Sequence, residues 1–387
     1  MSLARKKVGI VGAGIMGRLL AWQLANNGYQ ITLFDKDPIE SGDAAAYTAA
    51  GMLTPYSEIE SAEMLIYHLG MRSLQLWPII AKKLNADIGF HQLGSLIVSH
   101  ANDKPDLVRF NQQLNFKLSE LSNSSHSNTE SSYSSRHSPK QIEHDDLAEL
   151  EPELSSKFSE ATWLPQEAWL CPRCVMGVLA DQLLDKRISW HAHTKIDGLK
   201  VDSGKNQVTV KRQNYQFDWI IDCRGLGAKP DMSELRGVRG ELVLLQAPDV
   251  KINRLVRLMH PRYRLYVVPK YKDDLYTLGA TQIESDDSGP ITVRSTLELL
   301  TAAYSLHPGF AEARLIETKT NCRPALSDNL PRVEVQNNLI RINGLYRHGF
   351  LLAPAIANEV QNFLTHDGDY SSGYQGLFRA SAKEVSE

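Results

Sequence analysis

Gly12, Gly14 and Gly17 stand at G-x-G-x-x-G spacing directly after the apolar run Val8-Gly9-Ile10-Val11, and Asp35 follows about twenty residues later. Residues of these types at this spacing bind a dinucleotide. Gly12 admits the tight turn, Gly14 lets a pyrophosphate approach the backbone, and Gly17 lets the next helix pack closely on its strand, with the phosphates at that helix's N-terminus. Asp35 is placed to hold ribose hydroxyls, which favours NAD or FAD over NADP; the motif alone does not separate the first two. A glycine turn of an ordinary α/β protein would lack the strand before, the helix after and the acid at this distance. Cys171-Pro172-Arg173-Cys174 is the other pattern with chemical potential. Zinc would need two further ligands at similar spacing, and a thioredoxin-like pair would head a helix in a different βαβ context. The pair therefore reads as incidental cysteines at a strand-to-helix turn, and no metal site is expected.

The elements that must position these residues follow from pattern. A helix from about Met16 to Asn26, closed by Gly28, joins the first strand to a second, Gln30–Phe34. Apolar residues at helical spacing (Leu65, Leu69, Leu76, Ile79, Ile80) predict a long helix over 62–84. Residues 119–140 are Ser-rich and almost without aliphatic side chains, so they read as a mobile surface insertion between a helix around 106–118 and a short one at 145–150. Strand signals then dominate: 208–210, 219–221, 241–246, 265–268 and 276–280, followed by a helix over 293–304, a strand at 339–342 and a closing helix over 351–364. After the strand at 219–221 comes Asp222-Cys223-Arg224-Gly225, a second strand-to-glycine turn, so Arg224 and Gly225 are candidates to meet the cofactor from another side. Nucleotide-binding elements recur at the start, middle and end, so two domains are expected to interleave: 1–88, 165–228 and 325–387 in a dinucleotide-binding unit, and 89–164 with 229–324 in a substrate unit.

With 387 residues and 42% hydrophobic content, the chain is long enough for two domains and a large core. A net charge of −3 gives no electrostatic reason to expect nucleic acid or an anionic membrane surface. The most basic stretch, Lys251 to Arg264 with Arg254, Arg257, His260 and Arg262, has no interleaved aromatic platform and reads as a solvated face beside the site. No apolar run reaches the roughly 20 residues of a membrane span. The N-terminal Arg5-Lys6-Lys7 leads into the nucleotide motif rather than a signal peptide, and four cysteines do not make a disulfide scaffold, so a cytoplasmic protein acting on a small molecule is expected.

Thr48-Ala49-Ala50-Gly51-Met52-Leu53-Thr54-Pro55, Val238-Arg239-Gly240-Glu241, Tyr266-Val267-Val268-Pro269, Gly279-Ala280-Thr281 and Asn343-Gly344-Leu345-Tyr346-Arg347-His348-Gly349-Phe350-Leu351-Leu352-Ala353-Pro354 together resemble the D-amino-acid oxidase superfamily of flavoproteins, and within it the glycine oxidases of thiamine biosynthesis. The resemblance spans nearly the whole chain outside the Ser-rich insertion and the C-terminal tail. It implies a Rossmann-type FAD-binding domain interleaved with an α+β substrate domain built on an antiparallel sheet. It also implies noncovalent FAD held by Ile15, Met16, Asp35, Lys36, Ala50, Gly51, Met52, Ile196 and the run from Leu345 through Tyr346, Arg347, His348, Gly349 and Phe350 to Leu351, with Thr48, Ala49 and Gly344 as neighbouring candidates for cofactor contact. Cys322 falls near the position where sarcosine oxidases tether their flavin, but its neighbours differ. Gly344 and Gly349 bracket a turn that could offer N–H donors to the reduced ring.

For the substrate, the same resemblance implies that Arg323 grips a carboxylate, for which its planar fork is suited, that Tyr266 hydrogen-bonds the same group, and that Arg347 lies beside both substrate and flavin. Gln282 stands where some relatives carry methionine and Arg264 where they carry histidine, and both bear on the choice among glycine, sarcosine and small D-amino acids. The implied reaction is hydride transfer from the α-carbon of an amino acid to flavin N5, with oxygen as acceptor and imine or glyoxylate, ammonia and hydrogen peroxide as products. A thiazole synthase is the implied consumer of the imine, and a homo-oligomer is left open. Alternatives are a dehydrogenase with another acceptor, a tRNA-modification flavoprotein, and a flavin-binding partner without turnover.

Overall fold

The computed structural model describes residues 5–60, 62–124, 138–199, 207–210, 213–260, 265–270 and 274–380. Two large sheets organise them. The first runs in the order Phe378–Ala380, Arg332–Gln336, Leu339–Asn343, Trp219–Asp222, Lys7–Val11, Gln30–Phe34, Ser189–His191. Its central four strands and Ser189–His191 are parallel, as βαβ crossovers require, while Arg332–Gln336 pairs antiparallel with Leu339–Asn343. Central strands covered on both faces favour apolar residues, and Trp219–Asp222 and Leu339–Asn343 are buried at every position, with Asp222, Arg341 and Asn343 as buried polar exceptions.

Helices Ile15–Asn26, Pro172–Asp185, Met64–Leu84 and Gly349–Thr365 pack with this sheet into one core. Ile15–Asn26 lies between strands and neighbouring helices, so Leu19, Leu20 and Leu24 are wholly buried, each a gain of about 1.5–3 kcal/mol over exposure. Gly17 permits the close approach: a Cβ there would collide with the Gly12 carbonyl oxygen.

The second sheet is mostly antiparallel and runs Ile283–Glu284, Arg236–Gln246, Leu275–Gly279, Leu265–Pro269, Leu255–Met259, Ser95–Ser99, Glu160–Leu164, Lys140–Glu143, with Arg314–Ala325 on the other edge of Arg236–Gln246. Helix Val293–Leu306 closes a separate apolar core on one of its faces. The register sets Val238 opposite Arg323, and Leu242 opposite both Lys319 and Gly279, which itself faces Tyr266.

Two expectations need correction, and one segment lies beyond reach. The helix expected around 106–118 runs from Lys104 to Ser124, so the Ser-rich segment is helical where it begins; Lys117 pins that turn by donating to the Ile59 and Ala62 carbonyls at 2.7 and 3.1 Å. Residues 125–137 of the expected insertion lie outside the described residues. Cys171 and Cys174 are joined as a disulfide where Cys171 caps helix Pro172–Asp185, rather than standing as incidental thiols. The helix-capping turn brings position i and position i+3 within bonding reach, which the spacing alone did not reveal.

Candidate active site

A cavity of about 1200 Å³ lies between the two sheets, larger than a typical small-ligand pocket and open from the Gly12–Gly14 turn to Tyr266 and Arg323. At its nucleotide end, helix Ile15–Asn26 begins with no side chain capping it and no acid in its first turn, so its orphan N–H groups and positive dipole end are left for an anion. The Asp35 carboxylate, at the end of its strand, accepts from the Ala13 N–H and, at 2.8 Å, from the Asp37 N–H. Burial pushes its pKa up, opposed by those two donors. Arg18 clamps the neighbouring loop, donating to the Ala13, Met176 and Ile39 carbonyls at 2.7–2.8 Å. An uncapped helix start, an acid beyond a second strand and a long cavity suit the pyrophosphate, ribose and ring of FAD.

Of the residues singled out in the sequence, Gly12, Gly14, Ile15, Met16, Asp35, Lys36, Thr48, Ala49, Ala50, Gly51, Met52, Ile196, Arg224, Gly225, Tyr266, Gln282, Arg323 and the run Leu345–Leu351 all line this one cavity. Gly17 and Gly344 do not: Gly17 serves helix packing, and Gly344 turns the chain at φ +75° with its N–H already donated to Asn343 Oδ1 at 2.9 Å, so it offers no donor to a ring. Arg264 lies outside the described residues. Arg224 is held by Asp222 at 2.7 Å, by Asp231 and by the Ile196 carbonyl at 2.9 Å; burial opposes its charge, but the two carboxylates raise its pKa. The Cys322 thiol lies 3.5 and 3.4 Å from the Ser285 and Asp287 carbonyls.

At the other end, two glycines form the floor under the polar side chains. A Cβ on Gly240 would collide with the Arg323 guanidinium, and one on Gly279 would lie 2.6 Å from the Tyr266 hydroxyl. Arg323 donates to the Thr281 carbonyl at 3.1 Å and pairs with no carboxylate among the described residues; burial lowers its pKa, with Tyr266, Tyr346 and Glu58 countering. Burial raises the Tyr266 hydroxyl, eased by Arg323 and Arg347, so it remains a neutral donor. A desolvated, uncommitted guanidinium beside a neutral hydroxyl is a receptor for a carboxylate.

Sequence reasoning missed the acid that organises this end. Glu58, from the short helix Pro55–Glu58, bonds Arg347 and lies 2.9 Å from His348 Nε2, across 290 positions of chain. Burial would raise its carboxyl, but Arg347, His348 and Arg257 hold it well below the usual range. Arg347 is thereby neutralised, which distinguishes it from Arg323. A single acid on a one-turn helix carries no periodicity or spacing that could have flagged it. Arg257 lines the cavity too, tied to Glu60 at 2.5 Å and the Ser57 carbonyl at 3.0 Å. Lys251 and Arg254 of the same basic stretch pair with Asp274 and Glu151, so these two cations are committed to acids. Among the described residues no cluster of His, Cys, Asp and Glu is placed to hold a metal ion, and no helix is long and apolar enough to cross a membrane.

Residues 7–362 match the family described as FAD dependent oxidoreductase. The chain is 38% identical over 360 residues to an oxidoreductase of Rhizobium etli named for thiamine biosynthesis, ThiO, covering 92% of this chain and 96% of that one. It is 24% identical over 365 residues to a glycine oxidase of Geobacillus kaustophilus, covering 90% of each. The crystal structure of glycine oxidase from Geobacillus kaustophilus superposes with a TM-score of 0.80 at 20% identity, over 96% of this chain and 98% of that one.

Proposed function

Because the chain belongs to the FAD dependent oxidoreductase family, with the interleaved fold of D-amino-acid oxidases, we propose that it oxidises the amine of a small amino acid, glycine first and sarcosine or small D-amino acids next. Oxygen takes the electrons, and the products are the imine or glyoxylate, ammonia and hydrogen peroxide. The reading is supported by Arg323, whose guanidinium lines the cavity and pairs with no carboxylate among the described residues. FAD, when bound, supplies the acceptor for the α-hydride. The chain's own residues do the rest: Arg323 and Tyr266 hold the carboxylate, Glu58 fixes Arg347, and the two glycine floors keep the site narrow.

The ThiO-like relative supports thiamine-thiazole synthesis as the consumer of the imine, with a thiazole synthase as partner. The five-segment division between FAD and substrate units belongs to the same proposal and is supported by the segments from which each sheet draws its strands. Anaerobic addition of glycine, sarcosine and D-alanine to the yellow holoprotein tests it, with flavin absorbance followed and peroxide measured on admitting air. Bleaching with stoichiometric peroxide is expected. Bleaching without reoxidation by air would make the protein a dehydrogenase, and no bleaching by any of the three would remove the amino-acid reading.

A further inference from the structure

A cysteine pair at the head of a helix can cycle two electrons, and the bonded pair Cys171 and Cys174 occupies the first turn of helix Pro172–Asp185. The two sulfurs are unequal. Cys171 caps the helix: its Sγ accepts the Cys174 N–H at 3.3 Å, its own N–H donates to the Ile88 carbonyl at 2.9 Å, and the Gly89 backbone packs behind its Cβ. Cys174 is exposed to solvent. A sulfur anion at Cys171 would meet that N–H and the positive end of a helix with no acid in its first turn. As a staple the bond constrains the unfolded chain little, because it spans a sequence separation of only 3 within a turn that the helix already fixes.

The same turn buttresses the loop that lines the cofactor cavity. Ala168 and Trp169, on the way into it, pair with Leu53 and Met52, and the Leu170 N–H donates to the Gly51 carbonyl at 2.9 Å. Gly51 sits at φ +87°, and a Cβ on it would collide with the Leu170 carbonyl oxygen and crowd Pro172. Arg173 reaches back to the same loop, its Nε 3.4 Å from the Tyr47 carbonyl, while Nη2 pairs with Glu317 at 2.7 Å. Thr48, Ala49, Ala50 and Gly51 line the cavity. The disulfide is thus one residue from the hydrogen bond that holds Gly51 and one from the guanidinium that reaches Tyr47.

We propose that Cys171 and Cys174 form a redox-active site, opened by a dithiol reductant at the exposed Cys174 sulfur and closed by hydrogen peroxide at Cys171, and that the bonded state lets the 47–51 loop hold FAD more tightly. In the opening step a thiolate of the reductant attacks Cys174 Sγ. The S–S bond breaks and its electron pair leaves on Cys171 Sγ, where the Cys174 N–H stabilises it. The reductant's second thiolate then displaces Cys174 and closes the reductant's own disulfide, so two electrons pass to the protein. In the closing step the Cys171 thiolate attacks one peroxide oxygen, the O–O bond breaks, and the departing hydroxide takes a proton to become water. Cys174 gives up its thiol proton and attacks the sulfenic sulfur of Cys171; the S–S bond forms and the second oxygen leaves as water.

The test is alkylation of the folded holoprotein with iodoacetamide, read by mass spectrometry, after dithiothreitol and again after that reductant is removed and one equivalent of hydrogen peroxide is added. Cys223 and Cys322 are buried, so the label reports the pair. Labelling of both Cys171 and Cys174 after dithiothreitol, with the flavin still bound, and of neither after peroxide is expected. At pH 7 closure should outpace peroxide oxidation of an equal concentration of free dithiothreitol by about tenfold. A bond that opens only in denaturant makes the pair a static staple and overturns the proposal, as do thiols that peroxide rejoins no faster than the free dithiol. FAD titration of the apoprotein, followed by flavin fluorescence, reads the coupling: the reduced protein should bind about threefold or more weakly than the oxidised one. The Cys171→Ser/Cys174→Ser variant should give one affinity in both buffers, which separates the pair from any effect of the reductant on the flavin. Equal affinity in the two wild-type states overturns the link to the cofactor. No readout uses an amino acid, so the proposal stands or falls apart from the amino-acid reading above.

Discussion

Replacing Arg323 with methionine should weaken carboxylate binding and leave the protein slightly more stable, an opposed pair of effects that a structural arginine would not produce. The guanidinium gives up hydration on burial and donates to the Thr281 carbonyl, with no carboxylate among the described residues to balance its charge. A bound carboxylate at about 4 Å in an effective dielectric of about 20 contributes about 4 kcal/mol of attraction. Part of that replaces water contacts, so about 2–4 kcal/mol should be lost on truncation, about 30- to 1,000-fold in Kd. Methionine fills similar volume without a charge to desolvate, a gain of about 1 kcal/mol in the ligand-free holoprotein. For a chain of 387 residues that is about +1 °C in Tm. The assay is titration of the flavin spectrum with acetate, which cannot be oxidised, beside thermal melts of the same preparations. Acetate affinity within threefold of wild type, or a Tm lower by several degrees, would refute the reasoning and make Arg323 a structural cation.

Glu58→Gln should leave Arg347 buried without its anion and cost about 3 kcal/mol at pH 7. Because the folded carboxyl sits well below its ordinary 4.5, that contribution is present above pH 4.5 and fades as pH falls, so wild-type and variant melts should converge in acid. Glu167 behaves oppositely. Wholly buried, it accepts from Ser57 N–H at 2.7 Å, Ser57 Oγ at 2.8 Å and the Ser95 hydroxyl, and burial pushes its pKa up to about 7. Its contribution is therefore full below pH 4.5 and lost as pH rises through about 7, a swing of about 3 kcal/mol. Glu167→Gln should gain on wild type in Tm between pH 5 and 8.5, and a constant gap would contradict this. Gly279→Ala should keep FAD but raise KM for glycine, because the new methyl displaces the Tyr266 hydroxyl; steady-state kinetics with the flavin absorbance as a control check it.

The nucleotide end was legible in the chain because its chemistry is local. A turn that needs glycine, a helix start that must stay uncapped and an acid one strand away are consecutive, so G-x-G-x-x-G and Asp35 marked them before any packing was known. Periodicity likewise marked Ile15–Asn26, the later strands and the closing helix, since each buries one apolar pattern; it misplaced the end of Lys104–Ser124, where serines continue a helix whose apolar face had already been satisfied. Arg323, Tyr266 and Arg347 were visible only through motifs in register with a family, and nothing in their spacing of tens of residues joins them.

Tertiary structure alone decided that Arg347 is paired with an acid while Arg323, among the described residues, is not. Glu58 and His348 meet across 290 residues, Arg347 is neutralised there, and Arg323 is left on a glycine floor contributed by another strand. It also decided that Gly344 closes a turn rather than facing the cavity, and that Cys171 and Cys174 join. Charge pairing and desolvation depend on distances across the fold, and those are set by how the two sheets pack, which no local pattern of residues encodes.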